Sequence, residues 1–81
     1  MDITRNIITM GLKLKPNTVY RSVWTVEGKE VSNDLVTTPK DEDPMKFFQL
    51  WADTLQYMFD IQHIDIQIFE VADDTRNQSV Q

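Results

Sequence analysis

Apolar residues recur along this chain with two distinct periods. From Asp43 to Asp60 the period is helical. Asp43 suits an N-cap, and Pro44 suits the first helical position, where its missing N–H costs nothing. At about 100° per residue, Phe48, Trp51, Leu55, Met58 and Phe59 fall on one face. Lys46, Gln49, Asp53, Gln56 and Asp60 fall on a polar stripe about 80° wide on the other side. Elsewhere the period is two. Residues 6–14 alternate, with Ile8, Met10, Leu12 and Leu14 on one side and Thr9, Gly11 and Lys13 on the other. Residues 19–27 are rich in β-branched and aromatic side chains, with Tyr20, Trp24 and Val26 sharing a face. Residues 63–71 alternate most strictly, Ile64, Ile66 and Ile68 pointing one way and His63, Asp65, Gln67 and Phe69 the other.

Turn chemistry joins these stretches. Lys15-Pro16-Asn17 separates the first two strands. Gly28-Lys29 reads as a two-residue hairpin turn leading into a third strand from Glu30 to Thr38. That turn sets Val26 opposite Val31 and Ser22 opposite Leu35, which keeps Trp24, Val26, Val31 and Leu35 on one face. The segment 38–43, with Pro39 and the acids Asp41, Glu42 and Asp43, is a loop whose charge complements the helix dipole. The expected architecture is α+β with element order β-β-β-α-β. It is a four-stranded, mostly antiparallel sheet in the order 4-1-2-3, with one helix packed on one face. Residues 1–71 form a single domain, and the polar residues 72–81 form a flexible tail.

Composition narrows the function classes. At 81 residues there is room for one core. Without cysteine there is no disulfide framework, thiolate metal site or thiol nucleophile. The start of the chain lacks the pattern of a signal peptide, and no apolar run reaches membrane-spanning length. A cytoplasmic location without membrane contact is expected, and the sequon at Asn77-Gln78-Ser79 is read as incidental. The net charge of −5 is uneven. Residues 1–31 hold five cations against three acids (+2), and residues 32–81 hold three against ten (−7). An acidic second half disfavours phosphate backbones and favours basic partner surfaces, so no generic DNA binding is expected.

Catalytic and metal chemistry does not assemble. His63 and Asp65 could supply two ligands, or a base with its orienting carboxylate, but no third group joins them. No serine sits in a nucleophile elbow, and two isolated glycines cannot cradle a phosphate. The expectation is a non-enzyme with no cofactor and no metal. The strongest candidate site is a shoulder of the helix, where Leu50 and Tyr57 align seven residues apart beside Phe47 and Thr54. Those four residues suit a protein partner or a homodimer. The alternative is a nucleic-acid surface on the outer sheet face using Lys13 and Arg21. It ranks lower because Tyr20 and Trp24 turn toward the helix and leave no stacking platform. The small acidic α+β format resembles that of many phage- and plasmid-encoded inhibitors, mimics of nucleic acid among them. The likeness is one of format rather than motif, and it implies an adaptor or inhibitor role.

Overall fold

The computed structural model describes residues 2–71, so the expected tail at 72–81 lies outside the described residues. The elements are β1 (Thr4–Ile8), β2 (Val19–Val26), β3 (Lys29–Thr37), α1 (Pro44–Phe59) and β4 (His63–Glu70). They form a four-stranded mixed sheet with one helix, an α+β fold. The strand order is β1-β4-β2-β3 rather than 4-1-2-3. β4 lies parallel to β1 and antiparallel to β2, and β2 pairs antiparallel with β3.

The central place of β4 has a physical cause. Ile64, Ile66 and Ile68 are all within 1% of complete burial. Enclosing an aliphatic side chain of that size contributes roughly 1.5–3 kcal/mol. The strand with the strictest alternation therefore gains most from having neighbours on both sides. β1 suits the edge, because its inward face carries Arg5 next to Ile7, at positions paired with Ile64 and Ile66. An edge strand lets that guanidinium reach the polar flank of the helix.

β1 is also shorter than the alternation suggests. Met10 (φ 56°) and Gly11 (φ 83°) both adopt positive φ, and Leu12 N–H donates to the Thr9 carbonyl at 2.9 Å. The chain turns there, Met10 is exposed, and Ile8 pairs with Gln67 on the outer face. Leu12 and Leu14 still pack against the core, from the connection rather than from a strand. Beyond it, buried Thr38 ties the loop down, donating to Lys15 O at 2.7 Å and accepting from Thr18 N at 3.0 Å.

The hairpin joining β2 and β3 turns at Glu27-Gly28, one residue before the expected Gly28-Lys29. Both residues have positive φ (49° and 86°), the arrangement whose twist matches that of paired strands. Glu27 accepts that strained conformation while its carboxylate receives Gln62 N at 3.1 Å. The register follows: Val26 pairs with Lys29, a bulge intervenes, and Trp24 pairs with Ser32 and Ser22 with Asp34. Leu35 consequently lies on the outer face, paired with Arg21, and both Val31 and Leu35 are exposed.

The helix boundaries agree with the pattern. Asp43 caps α1 by accepting from Met45 N at 3.0 Å, and Asp60 closes it in the left-handed region. The rotation of the helix does not agree. Its buried line is Pro44, Phe48, Ala52 and Gln56, centred about 60° from the expected midline between Trp51 and Leu55. Gln56, expected on the polar stripe, is 5% exposed. Its Oε1 accepts from Arg5 Nε at 3.0 Å, and its Nε2 donates to Thr4 O at 3.0 Å. Asp53 remains on the surface, paired with Arg5 at 3.1 Å.

These two polar helix residues should therefore behave differently. Gln56→Ala orphans half-buried partners and should cost about 1–3 kcal/mol. Asp53→Ala removes an exposed pair and should cost no more than about 1 kcal/mol. Urea denaturation of both variants measures the difference.

Candidate functional site

The rotation of α1 decides what the helix exposes. With Ala52 facing the sheet, Trp51 and Met58 leave the core side, and the widest apolar arc of the helix turns partly outward. Leu50 is 65% exposed, Met58 65% and Tyr57 89%. Phe47 is half-buried, its ring 5.1 Å from Phe48 and 5.7 Å from Trp51 by centroids. Thr54 is exposed, and its Oγ1 donates to the Leu50 carbonyl at 2.8 Å. Phe47, Leu50 and Thr54 line one shallow hollow of about 390 Å³ together with Trp51, Pro39 and Glu42. Tyr57 stands apart from it, over a second hollow shared with Ile3, Arg5 and Asp53. The structure thus brings three of the four shoulder residues together and sets the fourth toward the β1 flank.

Trp51 is the residue that pattern reading missed. It bridges the helix surface and the core, its ring 4.7 Å from Trp24 of β2. Beside it lies a smaller and almost entirely apolar cavity of about 200 Å³. Trp24, Val26, Val31, Leu55, Phe59 and Ile61 are among its walls. Val31 and Phe59 had been expected in the core, yet both are more than 60% exposed. The sequence held one signal for this. Ala52 falls four residues after Phe48, and a small side chain there lets the helix seat closely on that line.

The helix covers only part of the sheet. On one flank Arg5 of β1 reaches Gln49 O at 3.4 Å and Asp53 at 3.1 Å. On the other flank Trp51 meets Trp24 of β2. β3 lies beyond. Its positions on the helix side, Ser32, Asp34 and Val36, are half-buried or exposed.

The alternative basic site does not gather on one surface. Lys13 lies in the connection between β1 and β2, not on the sheet. Arg21 is exposed on the outer face, where its Nη1 donates to Asn33 Oδ1 at 2.9 Å. Its strand neighbours Leu35 and Phe69 are apolar. His63 and Asp65 are placed on the outer face of β4, and Asp65 Oδ1 accepts from Asn6 at 2.8 Å. Among the described residues no three His, Cys, Asp or Glu side chains converge as a metal group. No helix among them is long and apolar enough to cross a membrane. Compared with family models, with curated proteins and with solved structures, the chain matches none.

Side chains this exposed contribute little to folding. The double variant Leu50→Glu/Tyr57→Lys should keep the wild-type circular dichroism, and its stability should stay within about 1 kcal/mol. Thermal and urea melts check this, and a larger loss would place the pair in the structural core.

Proposed function

We propose that this chain is a small, non-catalytic protein-binding module of adaptor or inhibitor type. It acts through the outward apolar face of α1, with Phe47, Leu50, Thr54 and Tyr57 as contact residues, supported by the acidic surface. The observation that carries this reading is the exposure of Leu50 and Tyr57 on a regular, well-capped helix whose core side is already filled by Phe48 and Ala52. Single exposed apolar residues are ordinary on a protein surface. Here Leu50, Trp51, Tyr57, Met58 and Phe59 are exposed on one helix of 16 residues, which is the pattern of a surface covered by another chain. The binding partner is another protein or a second copy of this one. A two-fold contact between helices would pair like with like. The charge of −5 favours a basic surface opposite.

The Leu50→Glu/Tyr57→Lys variant, already expected to fold normally, serves as the test. Proteins retained on immobilised wild type are compared with those retained on the variant. The mass of both is measured by sedimentation. The expected result is a partner, or a dimer, held by the wild type and weakened at least about tenfold (about 1.4 kcal/mol) in the variant. A wild type that stays monomeric at high concentration, with identical retention by the variant, would refute the reading.

A further inference from the structure

The sheet offers more room on its helix side than α1 occupies. Four strands about 4.8 Å apart place the outer two about 14 Å from each other. Helices pack side by side at about 8–10 Å. One face of this sheet therefore seats two helices, and the described residues supply one, resting over β1, β4 and β2. The vacant seat is the groove between α1 and β3. Its floor is Trp24 and Val26, and its walls are Trp51 and Phe59 on one side and Val31 on the other. Along the groove wall and the adjoining surface of α1, Phe47, Trp51, Thr54 and Met58 follow at alternating spacings of four, three and four residues. That is the seam a neighbouring helix packs against.

We propose that this groove binds an amphipathic helix of a partner protein, with an apolar stripe facing Trp51 and lysines or arginines along its flanks. The proposal rests on the protein-binding reading above and names the kind of partner. Charge selects the occupant. Asp34, on the helix side of β3, is exposed at the far rim, where its carboxylate accepts from Ser32 Oγ at 2.9 Å. Glu42 lines the hollow that continues past Phe47 and Trp51. Among the described residues the one ion pair is Arg5–Asp53, so neither rim carboxylate has a cation of its own. Lys29, paired with Val26 at the hairpin end, is a basic residue on the helix side of β3. A second copy would bring another −5 of net charge to these acids, which disfavours self-association here. An added strand on β3 is disfavoured by the bulge beside Val31 and by the charges of Lys29, Glu30 and Asp34 along the strand.

The test uses a labelled synthetic helix of about 18 residues, long enough to hold helical structure, with a leucine stripe and lysine flanks. A second peptide carries glutamate at the flanking positions. Anisotropy with the full-length protein should show the lysine peptide binding at least about tenfold more tightly, and salt should weaken it. Val31→Glu/Met58→Glu, at two exposed positions, should lower its affinity at least about tenfold. Asp34→Lys, at an exposed position, should lower it severalfold, and Leu35→Glu on the outer face should leave it unchanged. Equal binding of the two peptides would overturn the proposal, as would unchanged binding by the groove variants. A wild-type dimer dissociated by Val31→Glu/Met58→Glu would also overturn it, giving the groove to a second copy. Binding lost in Leu50→Glu/Tyr57→Lys but kept in the groove variants would overturn the groove while leaving the outward helix face as the binding surface.

Discussion

Gln56 lies buried between α1 and β1, its Oε1 accepting from Arg5 and its Nε2 donating to the Thr4 carbonyl. An amide in that position must keep its partners, because an unpaired buried polar group costs far more than a hydrogen bond contributes. Turning the helix by one residue in either direction would break both bonds. Arg5 adds its own constraint, since the same guanidinium also reaches Asp53 and the Gln49 carbonyl. This polar hinge along the β1 flank, together with the close seat of Ala52 against the isoleucine face of β4, sets the rotation of α1. The rotation in turn determines that Leu50, Trp51, Tyr57 and Met58 meet solvent.

The consequence for function is asymmetric. Charged and amide groups hold the helix on the β1 side, whereas the β3 side is held by the contact between Trp24 and Trp51. A tilted aromatic pair of this kind contributes about 0.5–1.5 kcal/mol beyond its buried area. It also leaves one edge of the Trp51 ring open, at 37% exposure. The core and the candidate binding surface therefore share a residue. Anything that fills the groove packs on a side chain already held in place from behind, so less side-chain freedom is lost on binding.

Much of this fold was legible in the chain. β2, β4 and the capped helix fall within a residue or so of their expected limits, because strict alternation, an N-cap aspartate and an N1 proline are local signals. β1 was overextended, since Met10 and Leu12 continue an apolar alternation that the positive φ of Met10 and Gly11 interrupts. The strand order depended on which apolar face gains most from a central place. In a short sequence that comparison is between Ile64, Ile66 and Ile68 and a β1 face interrupted by Arg5. The helix rotation was least legible. Hydrophobic periodicity finds the broadest apolar arc, but the seat was fixed by Ala52, which is small, and Gln56, which is polar. The partner of Gln56 is 51 positions away in sequence. Phe47, Leu50, Thr54 and Tyr57 lie on the helix that the period predicts, whereas the exposure of Trp51, Val31 and Phe59 depends on a helix rotation and a strand register that the pattern alone does not show.

An exposed strip of this size is a hazard for a small protein, and the remaining surface bears the marks of that hazard. β3, the longer of the two edges, carries Lys29, Glu30 and Asp34 and a bulge, features that discourage strand-to-strand association. The net charge of −5 adds repulsion between copies. Both devices act against self-association, and neither covers the apolar helix face. A sequence under selection only for solubility could have placed lysine or glutamate at positions 50, 57 and 58, where no fold constraint opposes it. Leucine, tyrosine and methionine at those positions leave the apolar helix face open, which is what the proposed protein-binding role requires of them.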